Sequence, residues 1–443
     1  MTIHALQEGY RKGWTSPEEV ITYICQKAEE DDPYHIWILP PHLEWITPYL
    51  ERLKDMDPLE RPLWGVPFTI KDNLDLAGMK TTAGCPEYAY LADESAEVVK
   101  RLLKAGAIPV GKTNMDQFAT GLVGTRTPYG EVLNAWQPEL ISGGSSAGAA
   151  VSVARGMAAF ALGTDTAGSG RVPAALNGLV GYKPSLGAWP TQGCVPACAS
   201  LDCVTVFTNT VEEAYLIDRI VRGKCDTDPW SRGYHMPESE KPWEILLPQQ
   251  TPTFFGDYKE RYFLAWERMV KRLEQTEIPI RKVNCELFER VAKTLYEGPC
   301  VAERWADLGD FVSQHSQEVF PVTRKVLFSG AADRYRASDV YQIQHWLKKK
   351  KIEVWRMLKN RLLILPTCGG TWSREQVRKD PIGTNSQMGR YTNHCNLLEL
   401  SAIAMPAGWA AENLPFGITL FARGDQEGIL KGGAFLLKKL DFE

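Results

Sequence analysis

The chain has 443 residues, enough for a large core and, by length alone, for two or three domains. Its 50 Lys and Arg against 54 Asp and Glu give a net charge of −4, which offers no electrostatic footing for nucleic acid or an anionic membrane. The amino terminus, "MTIHALQEGYRKGW", lacks an apolar signal-peptide core, and no apolar run approaches the roughly 20 residues of a membrane span. Ten cysteines without a secretion signal read as reduced thiols, and a cytoplasmic location is expected.

Taken in chain order, residues 16 to 30 show helical apolar spacing (Val20, Ile21, Ile24, Ala28), and Ser16 with Glu19 resembles a capping box. "WGVPFTIKDN" reads as a buried strand from Val66 to Ile70, ending at Lys71. "SAEVVKRLLKAGA" predicts a helix capped by Ser95 and stopped at Gly106, with the short strand "AIPVGK" after it. "SSAGAAVSVARGMA" predicts a helix rich in small residues, and "AFALGTD" another strand. This alternation implies an α/β fold, a large mixed and mostly parallel β-sheet covered by helices on both faces.

Residues 222 to 243 are polar and proline-bearing and read as a surface connection. Amphipathic helices are expected over 258–275, 286–305 and 337–359. The run Lys348 to Lys351 reads as a solvated helix end. "RLLILPT" and "SAIAMPAGWAAENLPFGITLFA" bring the chain back to the sheet. Cys194, Cys198 and Cys203 lack the paired CxxC spacing and a nearby histidine, so they read as buried thiols, and no metal is expected.

The stretch "ALGTDTAGSGRVPA" surrounds one serine, Ser169, with small residues. Small residues let a backbone approach a ligand and turn its N–H groups toward it. Thr166, Ala167, Gly168 and Ser169 would supply such a nest for the negative charge of an acyl-transfer transition state, with the Ser169 hydroxyl as nucleophile. A small-residue turn packed on a helix fits the same stretch. A serine nucleophile needs a base, and none of the seven histidines stands in a triad context. Lys71, at the end of an apolar strand, has a route to burial and hence to neutrality; a buried structural lysine fits equally. A second Gly/Ser turn, "SGGSSAGAAVSVA", places Ser145 24 residues before Ser169 and fits an N-cap as well.

Together, GVP-x-x-x-K, GGSS and GTD-x-x-GS-x-R-x-P, in this order over about Gly65 to Asn209, resemble the amidase signature family. The resemblance implies a Ser–Ser–Lys triad: Ser169 as nucleophile, Ser145 on a cis peptide as bridge, Lys71 as base. Asp165 and Arg171 would brace the loop. Over nearly the whole chain the phrases "TTAGCPEYAY", "GKTNMDQFATGLVGTRTPYG", "LYEGPCVAER" and "GRYTNHCNLLEL" are similar to the allophanate hydrolases of that family. That similarity implies urea-1-carboxylate as substrate, no cofactor, a homodimer and a functional link to a urea carboxylase. It also implies Tyr296 and Arg304 as substrate-binding residues and Gly124 as a backbone contact. Eight residues apart on one predicted helix, Tyr296 and Arg304 would face the same way.

Two departures stand out. Ala199 and Leu186 occupy positions that are often basic in the family, which opens biuret, guanylurea or another small amide as alternatives. The carboxy-terminal decarboxylating domain that full-length family members often carry is not expected within these 443 residues. A single domain over 1–443 is expected, with a catalytic core to 221, a linker and helical substrate-binding segment to 360, and a return to the sheet over 361–443. An amidotransferase subunit that delivers ammonia on tRNA is the remaining enzymatic rival.

Overall fold

The computed structural model describes residues 1–331 and 333–440, so the last three residues of the 361–443 segment lie outside the described residues. The strands, in chain order, are β1 (Trp37–Leu39), β2 (Pro67–Lys71), β3 (Lys80–Thr81), β4 (Tyr90–Leu91), β5 (Ile108–Thr113), β6 (Phe160–Asp165) and β7 (Val180–Lys183). They continue with β8 (Cys203–Thr208), β9 (Glu244–Pro248), β10 (Ile280–Val283), β11 (Arg361–Pro366), β12 (Leu400–Ala411) and β13 (Leu414–Arg423). Eleven of them form one sheet in the order β1-β5-β2-β6-β8-β7-β12-β13-β11-β9-β10, while β3 and β4 pair separately.

The sheet is mixed, as expected. Its parallel pairing runs in two blocks, β5-β2-β6 and β11-β9-β10. Between them the pairs from β6 through β8, β7, β12 and β13 to β11 are antiparallel. The strand–helix alternation of the first half reads only the first block. The antiparallel centre comes from connections such as the two-residue link Glu412–Asn413, too short for a parallel crossover; Asn413 takes φ +55° there.

Both faces of the sheet are covered. Strands β2, β5, β6 and β8 are buried at every residue. On β11, Leu362 and Ile364 pack into one core while Leu363 and Leu365 pack into another, as the period of two requires. The second core also takes Leu122, Ala167, Val172, Phe288 and Leu295, so the small-residue loop and the later helices meet on that face.

Most expected elements form. The Ser16 capping box is present, with Ser16 Oγ accepting from the Glu19 N–H at 3.2 Å and the Glu19 carboxylate from the Ser16 N–H at 2.9 Å. Residues 222–243 carry no helix or strand. Three readings need correction. Ser95 does not cap its helix, which spans Glu97–Lys104 behind Ala96; Ser95 Oγ accepts instead from the Ala77 N–H at 2.9 Å. The segment 286–305 is two helices, Glu286–Glu297 and Val301–Gln314, because Gly298 is extended and Pro299 has no N–H to continue the ladder. The Lys348–Lys351 run lies inside the helix Ala337–Met357, not at its end, and Lys348 (3.2 Å) and Lys351 (2.8 Å) converge on Glu399. Among the described residues no helix is long and apolar enough to cross a membrane.

Candidate active site

Lys71 is the last residue of β2, between the parallel neighbours β5 and β6. The register puts it beside the end of β6, and its amine reaches Thr164 Oγ1 on that strand at 2.7 Å and Ser145 Oγ at 2.7 Å. All three side chains are buried. Burial is the largest influence on the Lys71 ammonium and lowers it from 10.5 to about 8, against the opposing pull of Cys194, Asp116, Asp202 and Asp165. A neutral amine keeps a lone pair, so the same 2.7 Å contact lets the Ser145 hydroxyl donate to Lys71.

Ser145 sits at the turn into the helix Ala147–Ala154, and the Gly144–Ser145 peptide is cis. The second serine of the turn, Ser146, does not cap that helix; its Oγ donates to the Thr164 carbonyl at 3.1 Å, tying the turn to β6. Asp116 fixes the other side. Its N–H donates to the Ser145 carbonyl at 3.0 Å, and its carboxylate accepts from the N–H groups of Val123 (3.1 Å), Gly124 (3.1 Å) and Arg126 (2.9 Å). A Cβ on Gly144 would lie 2.0 Å from Asp116 Oδ2, so this contact requires glycine.

The loop after β6 holds Ser169, 2% exposed. Among the described residues, the N–H groups of Thr166, Ala167, Gly168 and Ser169 donate to nothing, whereas the next two are engaged: Gly170 to Asp165 Oδ2 at 3.0 Å and Arg171 to the Gly168 carbonyl at 2.9 Å. Four consecutive free donors beside a buried serine are a ready site for developing negative charge. A Cβ on Gly168 would meet Thr392 Oγ1 at 2.3 Å, which explains the poverty of side chains there.

Arg171 is bonded into this loop at several points. It holds Asp165 in a bidentate pair (2.9 and 2.9 Å) and also donates to the carbonyls of Ala167 (3.3 Å) and Thr392 (3.2 Å), with both side chains of the pair fully buried. The Thr166 hydroxyl donates to Asp202, whose carboxyl burial raises to about 6. Asp202 lines a cavity of about 240 Å³ together with Cys194, Ala199, Asp228 and Trp230. Ala199 therefore opens that cavity, whereas Leu186 is a buried core residue.

Tyr296 and Arg304 meet, though by a different route from the one expected. They lie on the two helices either side of the Gly298–Pro299 break, and Arg304 Nη2 donates to Tyr296 Oη at 3.1 Å. Arg304 Nη1 donates to Thr120 Oγ1 at 3.0 Å, and its Nε has no partner. Gly124, at φ +77°, has both backbone groups engaged, its N–H with Asp116 and its carbonyl with the Val132 N–H at 3.0 Å; a ligand contact there would use the second lone pair of the carbonyl. Thr164, Asp116, Thr120 and Arg126 lie inside quoted motifs, but the sequence reading gives none of them a role. Their identity carries no chemical signal until strand register and loop closure bring them in.

The Amidase family matches residues 19–430 of the chain. The urea amidolyase of Saccharomyces cerevisiae is 42% identical over 371 residues, 82% of this chain but 20% of that protein, so the chain spans about a fifth of that relative's length. A glutamyl-tRNA(Gln) amidotransferase subunit of Halothermothrix orenii is 30% identical, over 99% of this chain and 97% of its own. A solved structure of Kluyveromyces lactis allophanate hydrolase superposes with a TM-score of 0.90 at 34% identity, covering 98% of this chain and 72% of that one. With its family model matched from residue 19 to 430, the chain belongs to the amidase family, hydrolases of amide C–N bonds.

Proposed function

We propose that the chain releases ammonia from the terminal amide of urea-1-carboxylate through a Ser169–Ser145–Lys71 relay and an acyl-enzyme. The observation that carries the relay is the buried 2.7 Å contact between Lys71 and Ser145 beside a loop with four free N–H donors. Similarity to the allophanate hydrolase and urea amidolyase chains supports the substrate.

Neutral Lys71 takes a proton from Ser145 as Ser145 takes one from Ser169. The Ser169 oxygen attacks the amide carbonyl, and the oxyanion is held by the free N–H groups of Ala167, Gly168 and Ser169, with Thr166 at the edge. One such donor is worth about 3–4 kcal/mol in the transition state. The C–N bond breaks as Ser145 passes its proton to the departing nitrogen and recovers one from Lys71. Water then attacks the acyl-enzyme by the same relay, regenerating Ser169. Arg304 and Tyr296 hold the far carboxylate, turning its binding energy into alignment of the reacting carbonyl.

A second reading is an ammonia-delivering amidotransferase subunit, which the Halothermothrix relative favours. Ammonia release separates the two. The pure chain is expected to release ammonia from urea-1-carboxylate faster than from biuret or malonamate; negligible release from all three would overturn the proposal and favour a partner-dependent subunit. A urea-carboxylating enzyme would supply this substrate. A homodimer and a single domain over the whole chain remain part of the proposal.

A further inference from the structure

Four arginines are buried among the described residues: Arg126, Arg171, Arg222 and Arg304. Arg171 pairs with Asp165 at 2.9 Å, and Arg222 with Asp218 (2.9 Å) and Glu427 (2.7 Å). This is the ordinary condition of a buried charge. The other two have no carboxylate partner among the described residues. All side-chain bonds of Arg126 go to carbonyls, Thr120 at 2.9 Å and Pro381 at 2.6 Å. Those of Arg304 go to the hydroxyls of Thr120 and Tyr296. Each also buries an Nε with no partner.

The two unpaired guanidinium groups share one residue. Arg126 holds the backbone carbonyl of Thr120, and Arg304 the hydroxyl of the same Thr120. The Arg126 backbone N–H is bound by Asp116, whose own N–H donates to the Ser145 carbonyl. The pair is thus wired to the turn that carries the bridging serine. Asp116 accepts from three backbone N–H groups, and Asp202 from Thr166 and the N–H groups of Ala197 and Cys198, so neither is hydrogen-bonded to these arginines, although Asp116 acts on Arg126 and Asp202 and Glu303 on Arg304 through space.

We propose that Arg126 is a second specificity-determining positioning residue of the acyl site, which sets Arg304 through Thr120 and leaves Arg304 without a paired carboxylate, so that the site selects acyl groups bearing one. This rests on the reading that Arg304 and Tyr296 hold that carboxylate. In that reading the substrate brings the directly bonded carboxylate that neither arginine finds in the protein. A neutral isostere leaves Arg304 without that paired carboxylate, a discrimination that scales with the charge of the ligand more than with its shape.

Urea-1-carboxylate and biuret are a matched pair, differing by a carboxylate in place of a carboxamide. In the whole chain, Arg126→Gln is expected to lower kcat/KM for urea-1-carboxylate by about 30-fold or more, mainly through KM, and to change that for biuret by less than about threefold. Inhibition by malonate should weaken in parallel. Arg126→Lys restores a charge without the fork and should keep a preference for the anion of at least about tenfold. Equal losses on both substrates, or none, would overturn the proposal. If the Gln variant does not fold, a folded Lys variant that has lost the preference does the same. Should the wild type show no preference for the anion, or Arg304→Ala keep it, the reading beneath fails too. If those two behave as expected and only Arg126→Gln retains the preference, this proposal alone fails.

Discussion

Lys71 and Thr164 stand on adjacent parallel strands, and the lysine amine donates to the threonine hydroxyl at 2.7 Å, the same length as its bond to Ser145. Asn73 donates to the same hydroxyl at 3.3 Å. Thr164 therefore fixes where the amine points, and its position in the register of β6 makes that possible. Thr164→Val removes the acceptor while keeping a branched side chain. It is expected to lower kcat by about ten- to a hundredfold with little change in KM, and Thr164→Ser should restore most of it. Steady-state ammonia release checks this; an unchanged kcat would make Thr164 a bystander.

The protonation state of Lys71 gives a pH signature. Burial lowers its ammonium to about 8, so the neutral, proton-accepting form dominates above that value and is scarce below it. The kcat/KM of the chain should rise with pH through about 8 and then level. A profile measured from about pH 6 to about pH 10 that is flat or falls across this range would contradict the lysine as base.

The Asp165–Arg171 pair tests the loop brace apart from chemistry. Asp165→Asn strands a fully buried guanidinium and is expected to cost about 3–5 kcal/mol in urea unfolding. Adding Arg171→Met should recover part of that loss. A single mutant as stable as the wild type would show that the pair does not hold the loop.

Glu399 predicts an acid-sensitive contribution to stability. Burial raises its carboxyl, but Lys351, Arg232 and Lys348 outweigh this and leave it at about 2, below its ordinary 4.5. The folded state thus binds the proton more weakly than the unfolded chain. The contribution is fully present above about pH 4.5 and is lost as pH falls toward 2. The Tm gap between wild type and Glu399→Gln should narrow between about pH 6 and about pH 3; a constant gap would contradict the assignment.

Much of the candidate site is legible in the sequence, because its motifs are local. A strand ending in lysine, two Gly/Ser turns and a small-residue loop keep their spacing whatever the rest of the chain does. Tyr296 and Arg304 are legible as residues but not as geometry. Helical spacing treats 286–305 as continuous, and the Gly298–Pro299 step that breaks it is the signal that spacing overlooks. Thr120 and Arg126 are illegible for a different reason. An arginine looks alike in sequence whether or not a carboxylate meets it, and the missing partner is visible only once the chain is folded. The antiparallel centre of the sheet is hidden because β12 and β13 pair with strands far away in sequence as well as with each other.

The most direct measurement of the central claim is ammonia release from urea-1-carboxylate by Ser169→Ala beside the wild type, with circular dichroism to verify the fold. The account predicts that turnover falls by more than about 10³-fold while the fold and Tm survive. A folded Ser169→Ala chain that still turns over at a rate near the wild type's would contradict it.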